Sequence, residues 1–462
     1  MIFLSEKLVF FLCLMKKYTA TIIIFLSPFL QGTSQSLISK LDSAINSYVA
    51  DQKFTGTVLI SRKGSILLQK GYGYSNAATA KPNGPASIFQ VASLAKPFTA
   101  AVVLKLQEQG RLSLQDKLSK YYPGYPNAAN ITIHQLLSHT AGIFDYTSSE
   151  RFRSSDQSKP VSMDTLIGYF INEPLTSPPG TRFRYSNSGY TLLGYIIEKI
   201  TRKSYRENLK ELILQPLQLT HTGYDFTSLT DSNATVGYNF YAPGLYKKAS
   251  YVHPSILFTT GALYSTVGDL YKWHQALMGD SFLTAASKKQ WYTPVIAPYA
   301  YGWFSDSLFG RKRISHDGNV SGFKANINRI PDDDLCVIAL SNSNSSQVGQ
   351  MVRVLMAILY DQPYKLPVAK KELALADSIL NQYTGTYQFS PETIVHVLVN
   401  NKKLYLEGPT QPRMELVAET EANFYVRYID LNFEFLKDPS TGRVNELSFI
   451  RGKEKYVAKK IK

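Results

Sequence analysis

At 462 residues the chain is too long for one ordinary hydrophobic core, so two domains are expected. Hydrophobic residues make up 44% and charged residues 18%, which excludes an intrinsically disordered chain. The formal charge is +15, yet Lys and Arg are scattered with no long basic run and no nucleic-acid motif, so nucleic-acid binding is not expected and attraction to an anionic membrane or cell envelope is.

The first residues read as a targeting segment. Met15-Lys-Lys precedes the largely apolar stretch Tyr18 to Leu30, and Gly32-Thr-Ser-Gln-Ser36 follows with small and polar residues. That is the charged, apolar and cleavable order of a secretory signal peptide over residues 1–36, with Met1 or Met15 as the start. Export to the periplasm or the medium is expected, with a retained N-terminal anchor as the alternative. Removal of residues 1–36 takes Cys13 and leaves Cys336 alone, so the exported protein has no internal disulfide and rests on its core.

A domain is expected over residues 37–363. Leu37, Ile38, Leu41, Ala44, Ile45, Tyr48 and Val49 recur at helical spacing, and predict an amphipathic helix. Thr57–Ile60 and Ser65–Leu68 flank Arg62-Lys-Gly64 and predict a hairpin. Phe89-Gln-Val-Ala-Ser-Leu-Ala-Lys-Pro97 then opens a helix through Ala100, Val103 and Leu106 that stops near Gly110. Pro97 is tolerated only in a first turn, which puts Ser93 at the helix N-terminus. A short helix is expected at Ile131–His139, a polar surface loop at 145–160, a helix carrying Leu192 to Ile200 and another over Val267–Met278. His316-Asp-Gly318 reads as a turn. Lys324–Ile330 and Leu335–Ser341 read as strands around the acidic turn Pro331–Asp334, before a helix at Val348–Tyr360.

The composition changes after Pro363. Residues 364–377 read as a linker, with a short helix at Glu372–Leu380. Short β-type runs separated by turns over 378–462 predict a small antiparallel β-domain, sandwich or barrel. The whole is an α+β chain: an antiparallel sheet flanked by helices with an all-α region, followed by that β-domain.

Three short motifs carry chemistry. Ser93 and Lys96 are three apart, which on a helix places both side chains on one face, about 5–6 Å apart at Cβ. A serine hydroxyl needs a base, and a buried lysine with a lowered pKa can be one. Tyr185, as phenolate or proton relay, can pass the proton to a leaving group, and Asn187 can hydrogen-bond a substrate amide. His316 is expected on a strand edge facing Ser93, and the N–H groups of Ser93 and Asn319 are candidates for an oxyanion hole. His134 and His139 are expected to be buried hydrogen-bonding groups. Asp145 is left as a turn residue and Cys336 as an inert core thiol. His221, His253, His274 and His396 have no partner at metal-ligand spacing, so neither a metal nor a cofactor is expected.

Over roughly residues 38–360 the chain resembles the serine β-lactamase and penicillin-binding-protein-like hydrolases, in the form shared by class C β-lactamases, D-stereospecific peptidases and related esterases. The resemblance rests on the three motifs and on Ile131-Thr-Ile-His-Gln-Leu-Leu-Ser-His-Thr-Ala-Gly142 and Gly261-Ala-Leu-Tyr-Ser-Thr-Val-Gly-Asp269. It implies the β-lactamase/transpeptidase-like fold and an acyl-Ser93 intermediate. The implied substrates are small esters, amides or D-amino-acid peptides, including those of the cell wall. Where β-lactamases of this type carry Lys-Thr-Gly this chain has His316-Asp-Gly318, the His-x-Gly form. That favours an esterase or peptidase over strong action on β-lactams, because a histidine is mostly neutral at pH 7. The alternative from another class is a catalytically idle protein that keeps the cleft to bind cell-wall peptides.

Overall fold

Two strands buried on both faces explain the centre of the molecule. In Leu335–Ser341, residues Cys336, Ile338 and Leu340 join one hydrophobic cluster, while Leu335, Val337 and Ala339 join another. Gly56–Arg62 divides the same way, Leu59 to one side and Val58 with Ile60 to the other. A strand whose two faces both meet apolar layers has no polar face, which is why these runs read as continuously hydrophobic.

In the computed structural model, residues 36–242, 245–367, 372–391, 393–408, 413–426, 431–451 and 454–462 are described. The expected targeting segment lies outside them except for Ser36, and so do residues 368–371 of the expected linker. We label the central strands β1 (Gly56–Arg62), β2 (Ser65–Tyr72), β3 (Phe304–Leu308), β4 (Arg311–Val320), β5 (Phe323–Ile330) and β6 (Leu335–Ser341). They form one antiparallel sheet in the order β3-β4-β5-β6-β1-β2, so the N-terminal hairpin pairs with the last strand of its domain. Helix α1 (residues 36–50) buries Leu41, Ala44, Ile45 and Tyr48 on one sheet face, beside the helix Val348–Leu359.

The other face carries the all-α region. Its axis is α2 (Ala95–Glu108), buried from Ala95 through Leu104, with no polar side to show to solvent. Around it pack α3 (Ile133–Leu137), α4 (Asn187–Thr201), α5 (Pro254–Gly261) and α6 (Val267–Ala276).

The C-terminal strands close into an eight-stranded antiparallel barrel, from Gly385–Ser390 round to Glu454–Lys460. Eight strands leave an interior just wide enough for side chains. Tyr387, Leu406, Phe424, Phe435 and Leu447 fill it, with Leu380 and Tyr383 of the helix Asp377–Tyr383. That helix starts later than the expected Glu372. Phe240, on the hairpin Tyr238–Ala242 and Leu245–Lys248 of the first domain, packs against the barrel core.

His316-Asp-Gly318 is not a turn. It lies inside β4, and the chain reverses at Ser321-Gly322, where Gly322 takes φ +84°. The Asp-Gly turn preference loses to the ten-residue pairing of β4 with its neighbours. Gly318 is needed there for another reason: a Cβ on it would stand 2.2 Å from the Val91 carbonyl oxygen.

Candidate active site

Ser93 lies in a 3₁₀ turn, Ala92–Leu94, that runs directly into α2. Ala92 holds φ +49°, a left-handed conformation that costs an alanine about 1–2 kcal/mol. Neighbours impose it: Val91 N–H donates to Leu263 O (2.9 Å), and Leu94 N–H donates to Val91 O (3.2 Å). The backbone is strained at the residue before Ser93, as happens where a site must be held in one geometry.

Lys96 follows one turn later and is fully buried. Its Nζ lies 3.0 Å from Ser93 Oγ and donates to Thr260 O at 3.2 Å. The Thr260 carbonyl is available because it lies in the last turn of α5, where helix carbonyls have no N–H partner within the helix. Burial pushes the Lys96 ammonium down to about 7, against the opposing attraction of the Asp145 carboxylate. Lys96 Nζ also stands over the rings of Tyr185 (5.0 Å) and Tyr190 (5.8 Å).

Tyr185 sits just before α4. Burial lifts its phenol far above the ordinary tyrosine range, and a hydrogen bond with Ser93 only partly offsets this. The phenol therefore stays protonated while Lys96 titrates near neutrality. Of the two groups, Lys96 is the one that can be neutral near pH 7, and Tyr185 keeps its proton.

Asn187 begins α4 and is held by Asp145, whose Oδ1 accepts from its backbone N–H (3.2 Å) and whose two carboxylate oxygens each lie 3.3 Å from its Nδ2. By its sequence Asp145 reads as a turn residue at the start of a polar surface loop. Instead it caps the turn Tyr146–Ser148 and turns its carboxylate toward Asn187 and Lys96. Nothing in its local sequence marks it, because its partner is 42 residues away.

His316 is buried on β4, 6.4 Å from Tyr185 between ring centroids. Its Nδ1 is 2.6 Å from Asp317 O and its Nε2 is 3.3 Å from the Tyr299 hydroxyl. Burial first, and the Lys96 charge second, bring its pKa down to about 3, so it is uncharged at neutral pH. Gly318 backs onto Val91, beside the Ser93 turn. In the ladder Asn319 pairs with Lys324, next to the closing pair Val320–Phe323. A two-residue hairpin makes that neighbouring pair non-hydrogen-bonded, so the Asn319 N–H points away from β5 toward the open edge.

Ser93, Lys96, Tyr185 and His316 thus come together in one cluster, Asn187 joins through Asp145, and Gly318 and Asn319 flank the Ser93 turn. His139, expected to be a buried hydrogen-bonding group, packs its ring 4.2 Å from that of Tyr185. Among the described residues no group of three or more His, Cys, Asp or Glu side chains is placed to hold a metal.

The Beta-lactamase family model matches residues 41–360, most of the chain and all of this site. The chain belongs to the Beta-lactamase family. Penicillin-binding protein 4* of Bacillus subtilis (strain 168) is 32% identical over 412 residues, covering 83% of this chain and 90% of that protein. Protein flp of Staphylococcus aureus (strain MW2) is 30% identical, covering 73% of this chain and 68% of its own length. Among solved structures, the octameric penicillin-binding protein homologue from Pyrococcus abyssi superposes with a TM-score of 0.64 at 26% identity, over 91% of this chain and 99% of that one. A D-stereospecific amidohydrolase from Streptomyces sp. shares the fold, with a TM-score of 0.62 at 24% identity over 70% of this chain and 99% of that one. This Beta-lactamase family member is a serine hydrolase with the β-lactamase/transpeptidase-like fold and a C-terminal β-barrel.

Proposed function

We propose that the chain hydrolyses small esters, amides or D-amino-acid peptides through an acyl-Ser93 intermediate. The observation that carries this is the 3.0 Å contact between Ser93 Oγ and a buried Lys96 whose pKa falls to about 7. Neutral Lys96 takes the Ser93 proton as Oγ attacks the substrate carbonyl, and the developing oxyanion is received by the N–H groups of Ser93 and Asn319. The Tyr185 phenol hands its proton to the leaving nitrogen or oxygen and is reprotonated from Lys96. Water then releases the acyl group along the same path in reverse. Asn187, held by Asp145, hydrogen-bonds the substrate amide.

His316 is neutral with both nitrogens engaged, so it brings no cation to a substrate carboxylate. That weighs toward esters and amides and against strong turnover of β-lactams. The name of the Streptomyces relative, a D-stereospecific amidohydrolase, points to D-amino-acid amides as the first substrates to try. Export, with action near an anionic envelope, is part of the same reading and rests on the residue 1–36 pattern and the +15 charge.

The test is labelling with a fluorophosphonate and a fluorescent penicillin, with Ser93→Ala as control, followed by p-nitrophenyl esters, D-amino-acid amides, D-Ala peptides and nitrocefin. A Ser93-dependent adduct, with ester or amide turnover exceeding that of nitrocefin, is expected. No adduct and no turnover would instead favour the alternative of a catalytically idle protein that binds cell-wall peptides.

A further inference from the structure

Behind Tyr185 runs a chain of hydrogen bonds with a backbone group at each end. Ser186 N–H donates to His139 Nδ1 at 3.2 Å. His139 Nε2 is 3.2 Å from the Tyr299 hydroxyl, and that hydroxyl is 3.3 Å from His316 Nε2. His316 Nδ1 is 2.6 Å from Asp317 O.

The two ends decide where every proton sits. A backbone N–H can only donate, so His139 Nδ1 is a bare lone pair and its neutral ring carries hydrogen on Nε2. A carbonyl can only accept, so His316 carries hydrogen on Nδ1 and presents a lone pair at Nε2. Tyr299 must then accept from His139 and donate to His316. A hydroxyl does both at once; neither a phenyl ring nor a third imidazole fixed in the opposite tautomer would.

We propose that Tyr299 is a positioning residue that locks His316 as its neutral Nδ1–H tautomer, through the relay Ser186–His139–Tyr299–His316–Asp317. For catalysis this rests on the acyl-Ser93 reading; the proton assignment stands without it. The relay is also a mount for Tyr185, whose ring centroid lies 4.2 Å from His139, 6.1 Å from Tyr299 and 6.4 Å from His316. The charged and titratable groups facing these imidazoles are Lys96, Tyr185, Tyr190 and the Asp317 carboxylate on the reverse of β4. The nearest charge, Lys96, works against protonation of both rings. The outcome is a wall with no charge and no free ring nitrogen, which leaves Lys96 as the group that titrates near pH 7.

Nitrogen-15 NMR of histidine-labelled protein, assigned by single His→Gln replacements, reads the tautomers directly. In the wild type at pH 7, hydrogen is expected on Nε2 of His139 and on Nδ1 of His316. Tyr299→Phe removes one oxygen; its His316 Nε2 shift should move, its imidazole should protonate at higher pH, and ester kcat/KM should fall about tenfold, the scale of one lost buried hydrogen bond. A wild-type His316 found as imidazolium or as the Nε2–H tautomer overturns the proposal, whatever happens to the variant. So does a folded Tyr299→Phe protein with unchanged nitrogen shifts. Because the spectra need no turnover, an inactive wild type would count against the acyl-enzyme reading without touching the relay.

Discussion

Asp145 holds both the backbone N–H and the side-chain amide of Asn187, and the same carboxylate is the one charge that opposes the neutralisation of Lys96. One residue therefore fixes the position of the Asn187 amide and biases the protonation of Lys96 against the larger effect of burial.

Asp145→Asn keeps the shape and removes the charge. Without that charge the ammonium form of Lys96 is less favoured, so the acid limb of the kcat/KM profile should move to lower pH. At pH 8, where the base is already free, kcat/KM should still fall about tenfold because Asn187 loses its charge-assisted bonds. A full profile with a p-nitrophenyl ester checks both; a limb that moves upward would contradict the placement of the charge.

Lys96 itself has a signed pH dependence. Its neutral form is the active one, so activity should rise with pH through about 7. Lys96→Arg keeps a cation that cannot deprotonate, and should lower acylation by roughly 10²–10⁴-fold at every pH.

Stability provides a second reading of the same group. The folded pKa lies below the ordinary lysine value of 10.5, so the cost of burying the ammonium is full below about pH 7 and vanishes above the unfolded value. The Tm advantage of Lys96→Met over the wild type should therefore shrink as the pH is raised from 7 toward 10.5. Calorimetry across that range measures it, and a constant difference would show that Lys96 is not neutralised by burial.

Gly318→Ala places a methyl group 2.2 Å from Val91 O, which is backbone and cannot swing aside. The Ser93 turn must shift, and a displacement on the order of 1 Å costs about 10²-fold in rate. Fluorophosphonate labelling of Ser93 should slow accordingly while circular dichroism stays native.

Phe435 is 2% exposed in the barrel core, edge-on to Tyr387 and Phe424 and tilted against Tyr383. Phe435→Ala should cost about 3–5 kcal/mol of barrel stability. Limited proteolysis should then cleave between residues 377 and 462 first, with ester turnover retained by the remaining domain.

Much of this was legible in the chain. The Ser93-x-x-Lys96 pair needs only helical spacing, and Pro97 marks the first turn. Helical spacing located the N-terminal helix, and apolar β-type runs on either side of a turn located the first hairpin and strands β5 and β6. Two failures have physical reasons. His316-Asp-Gly318 reads as a turn because Asp-Gly favours one locally, but continuous ladder pairing with β5 from Ile314 to Val320 outweighs that preference. Asp145 reads as a loop residue because its chemistry depends on Asn187 and Lys96, which no local pattern connects to it.

The sequence by itself determined which groups are available: a serine, a lysine one helical turn on, a tyrosine with an asparagine, and the histidine of His316-Asp-Gly318. It also determined that the tail would be antiparallel β. Only the tertiary structure decided what state those groups are in. Desolvation is a property of the surroundings: burial turns Lys96 into a base and keeps Tyr185 protonated. Proton positions likewise depend on partners brought from elsewhere in the chain, and Ser186, Tyr299 and Asp317 together make His316 a neutral wall.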